Sequence, residues 1–188
     1  NEVILVDNEY NILSNIQISE MLDDYYVGGV ASEKGLGLGY YVYLYAMMNI
    51  YPKKLMPSRD GDIRGGASNI WERLYKDSNV GKDILDMSDN NYLLSYFTGD
   101  DYEVSEEEIL EFIENENDYR SRSEHYKGDD KDVRNDLNMF NSKYSIKPND
   151  FFLENSIDIK ELPEDLQEKI KEDSNEFFSI RYEESDEY

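Results

Sequence analysis

The sequence predicts a mixed α/β domain followed by an acidic, mainly helical C-terminal extension. Three observations carry this. The first stretch alternates between period-two and helical apolar spacing in the order strand, strand, strand, helix, strand, helix. Charge is unevenly placed: residues 1–76 hold 10 acidic and 7 basic side chains, residues 77–188 hold 33 and 12. Eight of the 11 glycines also precede residue 76, so turns and close approaches concentrate there. A working boundary near residue 80 separates a core, residues 1–80, from an extension, residues 81–188.

Val3-Ile4-Leu5-Val6 is a short apolar run ending at the turn-forming Asp7-Asn8-Glu9-Tyr10-Asn11, after which Ile12, Ile16 and Ile18 lie on one side of a period of two. That is a β-hairpin. Residues 25–31 make a third strand, with Gly28 and Gly29 marking a place where another backbone or a ligand comes close. From Gly39 the spacing turns helical: Tyr41, Leu44, Tyr45 and Met48 fall at i, i+3, i+4 and i+7, and Pro52 stops the helix. Lys54-Leu55-Met56 is a short strand before Pro57. A second helix starts near Gly66 on the stripe Ala67, Ile70, Trp71 and Leu74.

Beyond residue 80 helix and loop dominate. Ser105-Glu106-Glu107-Glu108 has capping-box form ahead of Ile109, Phe112 and Ile113. Residues 114–136 are nearly all polar and read as a linker. Pro163 suits the first turn of a helix with stripe Leu166 and Ile170 and with Phe177 and Phe178 docking, and residues 183–188 read as a frayed acidic tail.

Composition narrows the chemistry. A net charge of -24 and a pI near 4.2 exclude direct binding to a nucleic-acid backbone, because like charges repel and no counterions could be released. Hydrophobic residues at 39%, with 17 Tyr and 7 Phe, still allow a core. Zero cysteines exclude disulfides, thiol catalysis and thiolate zinc sites, and any His-dependent triad would pass through the single His125. His125 has no nucleophile near it in sequence. Asp129, Asp130, Asp132 and Asp136 resemble a calcium loop on the surface only, lacking the Gly and Glu it requires, so no metal site is expected. No apolar stretch reaches the roughly 18 residues of a membrane span, and nothing at the N-terminus has signal-peptide form. A soluble protein is expected, with Asn1 either a processed terminus or a point within a longer chain.

The most informative segment is Lys34-Gly35-Leu36-Gly37-Leu38-Gly39, between a strand and a helix. Alternate glycines allow a tight turn whose N–H groups converge on an anion at the positive end of the helix dipole. Neither GxGxxG nor a P-loop is met. A ligand-free strand-to-helix turn and a pyrophosphate cradle are both open readings.

The segment resembles the acyl-CoA loop of the GNAT superfamily of N-acetyltransferases, (Gln/Arg)xxGx(Gly/Ala), with Lys34 in the basic position and Gly37 and Gly39 in the small ones. Ala67-Ser68-Asn69-Ile70-Trp71-Glu72-Arg73-Leu74 looks like that family's later helix, and the stretch from Leu55-Met56-Pro57-Ser58-Arg59 to Trp71 looks like phage-encoded members. The resemblance spans residues 25–76. It implies a GNAT-like mixed sheet with flanking helices, and an acetyl-CoA site in which the N–H groups of residues 35–40 hold pyrophosphate while Val30 and Ala31 pair with the pantetheine arm. Lys34, Gly35, Leu36, Gly37, Leu38, Gly39 and Tyr40 complete that site. Two departures bear on catalysis. The family's acid is a Tyr where this chain has Trp71, and indole cannot supply the proton; Trp71, with Ala67 and Leu74 at helical spacing, reads as core. The family's first helices, which shape the acceptor pocket, are missing or reduced to residues 19–24. Tyr75 is one turn away as a substitute acid or an ordinary tyrosine, and Glu33 and Asp24 are the candidates for a base.

The tyrosines Tyr40, Tyr41, Tyr43 and Tyr45 surround their helix and cannot all point inward. Some must meet a ligand, a partner or the second half. The expectation is a phage-type GNAT-like protein, non-catalytic or weakly active, acting as an interaction or virion-associated protein with a basic protein or virion proteins as partner, in the host cytoplasm or the virion. The alternative is an acetyl-CoA-dependent N-acetyltransferase. The stack Glu164, Glu168, Glu172 is where the sequence first places a basic partner.

Overall fold

A computed structural model describes residues 1–21, 23–57, 66–84, 139 and 142–185. Its centre is a six-stranded mixed sheet in the order β1-β2-β3-β4-β6-β5: β1 Glu2–Val6, β2 Ile12–Met21, β3 Asp24–Ser32, β4 Leu55–Met56, β5 Gly81–Ile84 and β6 Ser142–Ser145. The helices among the described residues are α1 Gly39–Ile50, α2 Gly66–Lys76, α3 Asp150–Asn155 and α4 Glu164–Ser185, with a 3-10 turn at Ile159–Glu161. The mixed α/β class is the one the spacing predicts.

The hairpin turn is held by Asp7, whose carboxylate accepts the N–H groups of Glu9 at 2.8 Å and Asn11 at 3.0 Å, an Asx arrangement that lets Tyr10 take a left-handed φ of 63°. Hydrogen bonds from the Asn11 side chain and backbone also hold the Asp7 carboxyl below its ordinary pKa. β1 and β3 both run antiparallel to β2. Gln17 pairs with Gly29 and Ile18 with Val27, which leaves Gly28 as the extra residue of a bulge. Gly29 has a different reason: a Cβ there would lie 2.4 Å from Phe178 Cζ of α4.

Neighbouring residues of β2 point to opposite faces. Ile16 and Ile18 enter the core beneath α1 and α2, while Asn15 meets Ser174 of α4. The sheet is therefore covered on both sides. α1 is apolar at almost every position, and its buried residues include Tyr40, Tyr43, Met47 and Ile50. The stripe read from the spacing is not the buried face as a whole: Met48 is buried, Leu44 and Tyr45 are half-buried and Tyr41 is exposed. An all-round apolar helix carries no periodicity to say which stripe meets the sheet, so packing decides. α2 follows its expected stripe, with Trp71 and Leu74 buried.

Residue 80 lies between α2 and β5, and the sheet runs across it. Strands β5 and β6 come from the half expected to be a helical extension, yet β6 pairs with β4 and β5 with β6. Gly-Lys-Asp-Ile and Ser-Lys-Tyr-Ser carry too little apolar alternation to be read as strands; they are held by the ladder and by Tyr144, which is fully buried. α4 begins after Pro163, whose carbonyl accepts the N–H groups of Leu166 and Gln167 at 3.0 Å. It continues through residues 183–185, expected as a frayed tail. The capping box at Ser105, the polar stretch 114–136, His125 and the Asp129–Asp136 region lie outside the described residues.

Candidate functional site

β3 and β4 are parallel neighbours in the sheet, and the glycine loop lies between β3 and α1. Parallel neighbours need a crossover, and α1 supplies it. The two strands pair only at Tyr25 with Leu55 and Tyr26 with Met56. Past Tyr26, the β4 side of β3 has no strand partner among the described residues, because β4 ends at Met56 and Pro57 has no N–H to donate. Val30 and Ala31 lie in this stretch, paired on the other side with Ile16 and Asn15.

The loop follows at the carboxyl end of β3. Gly35 and Gly37 have φ of +82° and +67°, in the left-handed region, and a Cβ on either would meet nothing within 4 Å. Leu36 between them is 54% exposed. Gly39 works otherwise: a Cβ there would lie 3.0 Å from Ile70 Cδ1, so its smallness admits α2 against the start of α1. This contact joins the glycine loop directly to the helix of residues 67–74. At the helix start, Leu38 makes no side-chain cap bond and the first turn of α1 holds no acidic residue.

Tyr40 is anchored inward. Its hydroxyl donates to Asp77 Oδ2 at 2.6 Å, and the Arg73 guanidinium stacks 3.6 Å from the ring centroid. Burial first, then the Asp77 carboxylate, pushes the phenol up to about 12. Asp77 is held below the ordinary carboxylate value, chiefly by the same hydroxyl. The side chain thus ties α1 to the end of α2, a role no sequence spacing announced, since it links residues 37 positions apart.

The proton-handling candidates separate. Trp71 is 1% exposed, edge-on to Tyr43 with centroids 5.1 Å apart and tilted on Tyr144 at 5.1 Å. It is core. Tyr144 donates to the Met139 carbonyl at 2.5 Å, and burial raises its phenol pKa. Tyr75 is partly buried against the same cluster. Asp24, a candidate base, is committed elsewhere: one carboxylate oxygen accepts Lys54 N–H at 2.9 Å and the other accepts Lys143 Nζ at 2.5 Å, clamping β3 to β4 and β6. Glu33 stands half-buried at the mouth of the loop, its N–H bonded to the Leu13 carbonyl at 2.9 Å, and Lys34 beside it is exposed.

Among the described residues no group of three or more His, Cys, Asp or Glu could hold a metal ion, and no helix is long and apolar enough to cross a membrane. No protein family, curated protein or solved structure matches the chain.

Proposed function

We propose that the chain is a phage-type, GNAT-like protein that binds rather than turns over: the glycine loop cradles the pyrophosphate of an acyl-CoA-class ligand, and the acidic surface engages a basic protein partner, such as a virion protein. The observation that carries this reading is the contrast within one site. Gly35 and Gly37 hold open, left-handed backbone beside a helix start whose Leu38 makes no side-chain cap bond, while the position of the acid is filled by a buried Trp71. The strand context supports it as well. Val30 and Ala31 border the stretch of β3 that β4 does not pair, where an extended ligand arm could add backbone hydrogen bonds.

The chemistry follows from what each residue can do. Backbone N–H groups of residues 35–40 point an array of donors at an anion, and Lys34 adds a charge at its edge. Proton transfer needs a group within hydrogen-bond reach of the reacting atom, which a buried indole does not offer. In the transferase alternative, Glu33 would serve as base and Tyr75 as acid.

Calorimetric titration with CoA tests the reading. Binding is expected, weakened at least about tenfold by Gly37→Val, because a β-branched residue at φ +67° is strained and turns the N–H groups away. A near-ultraviolet spectrum matching the parent checks the variant's fold. No binding, or equal binding by Gly37→Val, overturns the loop assignment. Rapid acetylation of an amine by the parent chain overturns the binding-only role.

A further inference from the structure

α2 meets the start of α1 at two points. Ile70 Cδ1 stands 3.0 Å from where a Cβ of Gly39 would lie, and the Arg73 guanidinium is 3.6 Å from the centroid of the Tyr40 ring. Ile70 and Arg73 are three residues apart, which makes them neighbours on one helix face. That face therefore brings a cation to the first turn of α1, directly after the glycine loop.

The guanidinium is held there without being neutralised. Its ordinary helical partner would be the carboxylate four residues on, Asp77, but that group is engaged otherwise. Asp77 Oδ2 accepts the Tyr40 hydroxyl at 2.6 Å, and Oδ1 accepts the Asn79 N–H at 2.8 Å and Asn79 Nδ2 at 3.0 Å. Glu72, the other acidic neighbour, pairs with Lys76. Lys82 adds a second cation close by, with its Nζ donating to the Asp77 carbonyl at 2.6 Å. In a chain of 43 acidic side chains, Arg73 is exposed and, among the described residues, has no carboxylate in hydrogen bond or ion pair. Stacking fixes the guanidinium plane, so an anion that arrives meets donors already oriented.

The same Tyr40 ring positions an aromatic neighbour. Tyr41 lies edge-on to it, with centroids 5.7 Å apart and planes at 76°, and is 48% exposed. One anchored ring thus carries an exposed cation and an exposed aromatic side chain. A guanidinium suits the oxygens of a phosphate, and an aromatic face suits a nucleobase.

We propose that Arg73 and Tyr41, both seated on Tyr40, form a recognition shelf for a nucleoside diphosphate beside the glycine loop: Arg73 bonds a phosphate, and Tyr41 stacks on the base. The proposal deepens the reading of the loop as a pyrophosphate cradle and rests on it. It assigns the grip on the ligand to the nucleotide end, with the acyl arm contributing less.

The test is calorimetric titration of the full chain with CoA, with ADP, and with phosphopantetheine, which lacks the nucleotide. CoA and ADP are expected to bind alike and phosphopantetheine far more weakly. Arg73→Gln should weaken CoA and ADP about tenfold, the loss of a charged hydrogen bond, and Arg73→Lys should restore little, since an ammonium keeps the charge without the planar fork. Tyr41→Ala should weaken both at least about fivefold and Tyr41→Phe should not, because the ring does the stacking. Tyr51→Ala, at an exposed ring just past the far end of α1, should change nothing. Unchanged melting temperatures show that the variants fold. CoA binding that Gly37→Val weakens but Arg73→Gln and Tyr41→Ala leave alone overturns the shelf while the loop reading stands. Full binding by Arg73→Lys overturns the fork contact. Binding of ADP with exclusion of CoA supports the shelf and overturns the acyl-CoA reading, and binding of neither overturns both.

Discussion

The two faces of the sheet are covered by different means. Under α1 and α2 the contact is almost wholly apolar, with Trp71, Tyr43, Met47 and Leu74 closing over Ile16, Ile18 and Leu55. Under α4 a single helix rests on Ile170, Ser174 and Phe178, and the seam holds a polar knot: Asn15 Nδ2 donates to Glu2 at 2.5 Å and to Ser174 at 2.6 Å, and Ser174 donates to Glu2 at 2.7 Å. Burial of apolar area drives association without regard to direction, whereas hydrogen bonds and shape select one register. The first face supplies most of the cohesion, and the second decides where the acidic helix lies.

The largest expected effect tests the first half of that contrast. Trp71→Ala removes a ring packed against two others and should cost about 3–5 kcal/mol in urea denaturation. A loss near that of an average surface change would mean that this face is not the main source of stability. The docked face should respond less in total but through geometry. Gly29→Val puts side-chain atoms where the Phe178 ring already lies and should cost about 1–3 kcal/mol. Adding Phe178→Ala should recover part of that loss, and strict additivity of the two changes would show that Gly29 does not seat α4.

The smallest effect concerns the joint at the edge of the first face. Tyr40→Phe deletes the bond to Asp77 and should cost about 1 kcal/mol near neutral pH. Because the folded Asp77 pKa lies below 3.8, its contribution is present above that value and is lost as pH falls through the folded pKa; the gap between parent and variant should close in acid. On the alkaline side the folded Tyr40 pKa is raised to about 12 from 10.0, so its stabilisation is complete below pH 10 and is lost as pH rises through about 12. A gap that stays constant from acid to alkali would show that Asp77 and Tyr40 do not act as a pair.

Much of the site was legible because local rules place it. Three alternating glycines after a strand mark a turn with unusual backbone, and two of them do take positive φ. The third does not serve the turn at all; Gly39 is small for the sake of Ile70, a residue 31 positions away that no local pattern names. Asp24 also has a partner that no local pattern names. Its free-looking carboxylate is engaged by Lys143 from β6, across a separation of 119 residues.

By itself the sequence determined the mixed α/β class, the hairpin, the helix of residues 66–76 and the glycine turn, because each depends on spacing, turn chemistry or glycine within a few residues. Tertiary structure alone decided the rest: which side of the all-apolar α1 meets the sheet, the entry of β5 and β6 into that sheet, the pairing of Gly29 with Phe178, and the exposure of Phe151 and Leu153 on either side of a buried Phe152. The physical reason is common to all four. Each depends on a contact between segments distant in the chain, and backbone pairing and side-chain packing at such contacts are set by shape and by what else is available to bury, which no short window of residues encodes.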